Sequence, residues 1–238
     1  MDLEEFSNEL KSKANNIDIE LDNERVELLY KYMNLLLEWN EKINLTAITE
    51  PKDIILKHFI DSLTILKYLE SKSSIIDVGT GAGFPGIPLN IAKDDLEYTL
   101  LDSLNKRIVY LNEVIKDLNL MNIKTIHSRV EDFGKNNREK FDIATSRAVA
   151  HLNILVEYLL PLVKVGGICI CMKGSDVSHE TLEAQKAIKE LGGEIEKVEK
   201  IYLPDSDMER NIIIIRKVKE TPKKYPRKPG IATKEPII

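Results

Sequence analysis

Cysteine is scarce in this 238-residue chain, which carries only Cys169 and Cys171. On a strand, residues two apart point to the same face, so this pair sits side by side and is poorly placed to bridge. A metal site would want more ligands than two thiols at this spacing, so no metal is expected and both cysteines read as buried and inert. Long apolar runs are missing as well. None approaches the roughly 18 residues that a membrane span needs. The opening stretch MDLEEFSNEL is acidic and amphipathic, unlike a signal or transit peptide, which points to a cytoplasmic protein. Glycine does not occur before Gly79, as befits a helical, loop-poor beginning.

The net charge of −5 argues against polyanion binding by the surface as a whole. Its distribution is uneven. Residues 216–238 hold eight basic side chains against Glu220 and Glu235, a net +6 that leaves −11 for the rest. The same tail holds four of the nine prolines and is predicted to be extended and irregular. Within it Lys223, Lys224, Arg227 and Lys228 surround Tyr225, a grouping that offers phosphate charge and a stacking surface to RNA.

The hydrophobic pattern predicts a helical extension over residues 1–70. Leu28, Tyr32, Leu35, Leu36, Trp39 and Ile43 follow three- and four-residue steps, with Asp22 placed to cap the helix start. A second helix after Pro51 carries His58 and Asp61. From residue 74 short apolar strands, at 75–78, 98–101, 123–127, 141–145, 168–172, 194–201 and 212–216, alternate with helices. That alternation implies a mostly parallel sheet covered on both faces. Only the turn Leu203-Pro204-Asp205-Ser206-Asp207 separates the last two strands, so they form an antiparallel hairpin. The expected fold is therefore α/β and Rossmann-like, with seven strands resembling the class I methyltransferase sheet. Its core domain spans 71–216, and the basic tail spans 217–238. No interface stripe stands out, so a monomer is expected.

The run Ile75-Ile76-Asp77-Val78-Gly79-Thr80-Gly81-Ala82-Gly83-Phe84-Pro85-Gly86 reads as strand, glycine loop and helix start. Gly79, Gly81 and Gly83 let the backbone turn sharply and approach a ligand closely. Such a loop lies beyond the carboxyl ends of the strands, where open α/β sheets bind ligands. A dinucleotide fingerprint would place glycine where Phe84 stands. Asp77 adds negative charge where phosphates would sit, yet it suits a ligand with a cationic amino-acid end. S-adenosylmethionine has that end. Asp102, closing the second strand before Ser103, matches a ribose-binding carboxylate. Ser128-Arg129-Val130-Glu131-Asp132-Phe133 follows the third strand, where related folds hold adenine, although Glu131 and Asp132 also read as a charge pair at a helix start.

The fourth strand delivers Ser146-Arg147-Ala148-Val149. Neither the Asp/Asn-Pro-Pro-aromatic motif of exocyclic-amine methylation nor the Pro-Cys of pyrimidine-carbon methylation is present. Oxygen methylation remains, as does methylation of a nitrogen with a free lone pair such as guanine N7. For the latter an enzyme supplies positioning and electrostatic support more than a general base. Arg147 and Lys173, ending the fourth and fifth strands, could hold phosphate or the base, and are the candidates for a catalytic role; each could instead pair with Asp77 or Asp102. His151 reads as a capping or surface residue.

Several segments resemble one bacterial family. They are Trp39-Asn40-Glu41-Lys42-Ile43-Asn44-Leu45-Thr46-Ala47-Ile48, Lys57-His58-Phe59-Ile60-Asp61-Ser62-Leu63, the glycine loop, Leu101-Asp102-Ser103, Ser146-Arg147-Ala148-Val149-Ala150, Lys173-Gly174 and Lys223-Lys224-Tyr225-Pro226-Arg227-Lys228-Pro229-Gly230. Together they are similar to the small-subunit rRNA guanine-N7 methyltransferases, formerly named glucose-inhibited division protein B. The resemblance covers nearly the whole chain. It implies methylation at N7 of a guanine in the 530 loop of 16S rRNA, with S-adenosylmethionine as donor and 16S rRNA or the small subunit as partner. Carried over by position, Gly79, Phe84, Val130, Glu131 and Arg147 would contact the cofactor. Two rival readings stand beside it: a small-molecule oxygen methyltransferase, and a non-catalytic cofactor-binding assembly protein.

Overall fold

The computed structural model describes residues 1–147, 150–174 and 177–238. Ala148 and Val149, from the segment after the fourth strand, lie outside the described residues. Helix α1 (Leu3–Asn15) starts where the Asp2 side chain accepts from the Glu5 amide. Helix α2 (Asn23–Ile43) starts in the same way at Asp22, as expected, with the Arg25 amide donating at 2.8 Å. It ends at Asn44 in the left-handed conformation. The buried face of α2 is Val26, Leu29, Tyr32, Met33 and Leu36. Tyr32 and Leu36 of the predicted stripe lie on this face, whereas Leu28, Leu35, Trp39 and Ile43 are only partly buried. The helix is packed between α1 on one side and helices of the sheet domain on the other, so flank positions are also covered.

Helix α3 (Pro51–Ile54), a π-helical turn (Ile55–Ile60) and α4 (Asp61–Leu63) run on as one segment. The widened turn carries His58, and such turns often occur at functional sites. Phe6, Leu10, Tyr32 and Phe59 share one apolar core with Phe84 and Ile87 of the sheet domain. The N-terminal helices thus complete a core as well as precede it.

Strands β1 (Ser74–Val78), β2 (Glu97–Asp102), β3 (Ile123–His127), β4 (Phe141–Arg147), β5 (Val163–Lys173), β6 (Gly193–Tyr202) and β7 (Glu209–Lys217) form one sheet in the order β3-β2-β1-β4-β5-β7-β6. The first five pair in parallel, and β7 lies antiparallel between β5 and β6. This is the expected class I methyltransferase sheet with its terminal hairpin. Helices α5 (Gly86–Ala92) and α6 (Asn105–Asp117) cover one face with the N-terminal helices. Helices α7 (Val130–Asn136), α8 (Leu152–Leu159) and α9 (Ser178–Glu190) lie on the other side of the chain order, with α8 and α9 sharing a second core. Strand order reverses between β1 and its neighbours β2 and β4, which opens a crevice at their carboxyl ends.

The tail departs from expectation. Rather than remaining extended, it folds back, forms the short helix α10 (Ile231–Lys234) and buries Tyr225 and Ile237 in the second core. Composition suggested a solvated strand of lysine and proline, but two apolar anchors and distant acidic partners hold it down. Among the described residues no helix is long and apolar enough to cross a membrane.

Candidate cofactor and acceptor site

After Val78 the chain turns through Gly79, Gly81 and Gly83, all at positive φ. At Gly83 (φ +100°) a Cβ would also lie 2.6 Å from Ile87 Cδ1 and 2.7 Å from the Tyr32 hydroxyl. Tyr32 donates to the carbonyl of Ala82 at 2.5 Å, so α2 holds the loop from behind. The Gly79 and Thr80 amides both donate to the carbonyl of Leu101, tying the loop to β2.

Asp77 sits behind this loop and is not among the residues that wall the crevice. Its Oδ2 accepts from the Thr80 hydroxyl at 2.6 Å and from the Gly86 amide at 3.0 Å, clamping the loop to the start of α5. Its Oδ1 is buried with no partner among the described residues. Burial pushes the carboxyl up from 3.8 to about 6, against the lowering effect of those two hydrogen bonds. The folded value lies above the unfolded one, so Asp77 contributes stability while protonated. That contribution, on the order of 3 kcal/mol, is lost as pH rises through 6. Unfolding titrations of Asp77→Asn should lack this loss. An identical stability–pH slope in the two proteins would show that Asp77 is not the group responsible.

The crevice is a cavity of about 540 Å³. At its β2–β3 end stand Asp102, Ser103, Val130 and Glu131. Asp102 accepts from the Leu104 amide through Oδ1, and from the Gly81 amide and Arg107 through Oδ2. Its position is therefore fixed by the glycine loop itself. Glu131 Oε1 accepts from the Gly230 amide at 3.1 Å, so the tail helps place this carboxylate.

At the β4 end Phe84, His58, Thr46 and Arg147 wall the cavity. The Arg147 guanidinium lies 5.0 Å over the Phe84 ring, and His58 stacks on the same ring with centroids 4.3 Å apart. Arg147 pairs with neither Asp77 nor Asp102. Its Nη1 donates to the Lys57 carbonyl (3.0 Å) and Asp61 (3.3 Å), and its Nη2 to His58 Nδ1 (3.0 Å). Asp61 also holds Arg210 at 3.2 Å. Burial, and then the charge of Arg147, lower His58 from 6.5 to about 3.

Lys173 is a correction to the expected site. Its Nζ donates to Glu180 and to the Ala150 carbonyl, and the residue does not wall the cavity. A nearly buried ammonium needs a partner, and Glu180 in the first turn of α9 reaches back to supply it. Gly83 likewise stands behind the wall. His151 is exposed beside Glu180, matching its surface reading. The tail grouping is corrected too. Tyr225 is buried and donates to Glu190, with Lys224 and Arg227 over its ring, so it offers no free stacking face. Arg227 is engaged by Glu157, and Lys224 pairs with Glu190. Lys223 and Lys228 remain exposed.

Thr46, His58, Arg107, Arg129 and Tyr158 wall the cavity without having been assigned a role from the sequence. Arg147 and the Lys57 carbonyl are 90 residues apart. Nothing local to either segment signals that they meet.

The family GidB, described as rRNA small subunit methyltransferase G, matches residues 25–213. This chain belongs to that family. The "Ribosomal RNA small subunit methyltransferase G" of Alkaliphilus oremlandii is 52% identical over 237 residues, covering 98% of this chain and 99% of that protein. The protein of the same name from Desulforamulus reducens is 53% identical over 232 residues, covering 96% and 97%. Among solved structures, M. jannaschii TYW2 in complex with AdoMet superimposes with a TM-score of 0.58 at 14% identity, over 75% of this chain and 80% of that one. TrmN from Thermus thermophilus gives 0.53 at 13% identity, over 67% and 48%. These likenesses concern the fold; family membership rests on the near full-length relatives.

Proposed function

We propose that this chain transfers a methyl group to N7 of a guanine in the 530 loop of 16S rRNA, in the cytoplasm. S-adenosylmethionine supplies the methyl group when bound. The cavity suits that donor. Asp102 at the end of β2 is placed for ribose hydroxyls, and the glycine loop leaves room for close backbone approach. The orphaned Oδ1 of Asp77 behind the loop provides negative charge on the side where a cationic amino-acid end would lie.

The observation that carries the acceptor reading is the state of His58. It is the histidine on the cavity wall, both of its ring nitrogens are engaged, and its basicity is strongly depressed. Such a group is a feeble general base. Guanine N7 needs none, because its lone pair is free before transfer. An alcohol must lose a proton, so the small-molecule oxygen methyltransferase is disfavoured. The chain then acts by holding the acceptor in line, with Phe84, Arg147 and Thr46 shaping that end of the cavity.

Cations at the rim support an RNA acceptor. Arg129 is exposed on the cavity wall, and the exposed Lys223 and Lys228 add sequence-independent phosphate contacts. In paired RNA the N7 edge faces a groove too narrow for side chains, so the target guanine is unpaired or displaced.

Labelled methyl groups are expected to pass to small-subunit rRNA that lacks the modification and to map as 7-methylguanine. Failure with naked rRNA, assembly intermediates and whole subunits alike would sink the proposal and favour a non-catalytic role.

A further inference from the structure

The Arg147–His58–Thr46 contacts form a hydrogen-bond chain whose direction is fixed by chemistry. A guanidinium has donors only, so His58 Nδ1, 3.0 Å from Arg147 Nη2, accepts and carries no proton. Burial beside a fixed positive charge keeps the ring neutral, so its proton is on Nε2. That N–H faces Thr46 Oγ1 at 2.9 Å and donates to it. The Ile48 amide donates to the same oxygen at 3.1 Å. Both lone pairs of the hydroxyl are then filled. Its own O–H is left with no acceptor among the described residues, and Thr46 walls the cavity beside Phe84 and Arg147.

We infer that Thr46 presents this O–H to the 6-keto oxygen of the target guanine, and so positions the base and selects guanine over adenine. The inference rests on the guanine-N7 reading above. Guanine displays two acceptors side by side on this edge, N7 and O6, whereas adenine replaces O6 with an amino donor. A donor at O6 orients the ring while leaving the N7 lone pair free for the methyl group. Adenine in the same pose would set its N–H against an O–H whose oxygen can accept nothing more. Buried polar groups left unpaired are the stronger source of discrimination in a binding site. Thr46 acts as a positioning residue, and Arg147 contributes by holding the tautomer that directs the chain outward.

The test compares wild type, Thr46→Val and Thr46→Ser on whichever rRNA form the wild type methylates. It uses RNA with the target guanosine intact or replaced by 2-aminopurine riboside, which keeps N7 and lacks the 6-keto group. Thr46→Val is expected to lower kcat/KM about tenfold on guanine and to make no further difference on 2-aminopurine. Thr46→Ser, which keeps the hydroxyl, is expected to stay close to wild type. Calorimetry should find cofactor affinity unchanged in both variants. The inference is overturned by an equal loss on both RNAs, by no loss on either, or by Thr46→Ser failing as badly as Thr46→Val. Cofactor binding weakened as much as transfer would assign the hydroxyl to the cofactor and overturn it as well. Wild type that methylates no guanine in any rRNA form would fail the functional reading itself, and this inference with it.

Discussion

Arg147→Met is expected to retain its fold and to transfer methyl groups about 100-fold more slowly than wild type, since small misplacements of reacting groups cost that much. From the end of β4 its guanidinium reaches three acceptors on the 57–61 segment at once. Methionine fills similar volume and makes none of these contacts. The fold survives because Asp61 keeps Arg210, so its buried carboxylate is not orphaned. His58 loses the donor that fixes its tautomer, and the ring is no longer pinned by a hydrogen bond against Phe84. Its titration midpoint should rise from about 3, because the Arg147 charge is the second cause of that depression after burial. Arg147→Lys should recover little, since one ammonium cannot reproduce a planar fork reaching three acceptors. Steady-state transfer and the His58 ring-nitrogen resonances provide the check. Undiminished transfer by Arg147→Met would remove this residue from the mechanism.

The second large effect is on stability. Glu157, on α8, is almost fully buried and receives the Arg227 side chain as a two-pronged pair, with Nη2 at 2.6 Å and Nε at 3.0 and 3.1 Å. The Arg227 amide donates to it as well. Removing one partner of a buried pair leaves the other desolvated and uncompensated. Arg227→Ala, which strands the almost fully buried Glu157 carboxylate, is therefore expected to lose about 3–5 kcal/mol in urea unfolding. The tail should also become open to proteases, with Tyr225 exposed. Cofactor affinity should fall too, because Gly230 in that tail donates to Glu131 on the cavity wall. A loss below about 1 kcal/mol would mean that the pair behaves as a solvated surface contact.

The parallel strands were legible because both of their faces are buried, so each reads as a short apolar run. Among the parallel strands only β5 was substantially longer than read. It begins at Val163, and exposed Lys164 with the glycines at 166 and 167 interrupts the apolar signal. The glycine loop, Asp77 and Asp102 were legible for a different reason. Each sits at a strand end, where chain order alone sets its place relative to the crevice. The cations were harder. Arg147 and Lys173 look equivalent, each closing a parallel strand. Asp61 reaches one of them from the N-terminal helices, whereas Glu180 takes the other from α9 and draws it away from the cavity. The tail was misread because charge and proline content describe its composition and not its partners. Glu157 and Glu190, which hold Arg227, Lys224 and Tyr225, lie on α8 and α9.

What the sequence by itself determined is the half of the cavity formed by the glycine loop and Asp102. Strand, glycine loop and helix start are contiguous there, so local backbone rules and the strand-end carboxylates suffice. The other half of the cavity wall was decided only by tertiary structure. Thr46, His58 and Arg147 come from separate segments, and their hydrogen-bond direction exists only once packing has buried the imidazole beside the guanidinium.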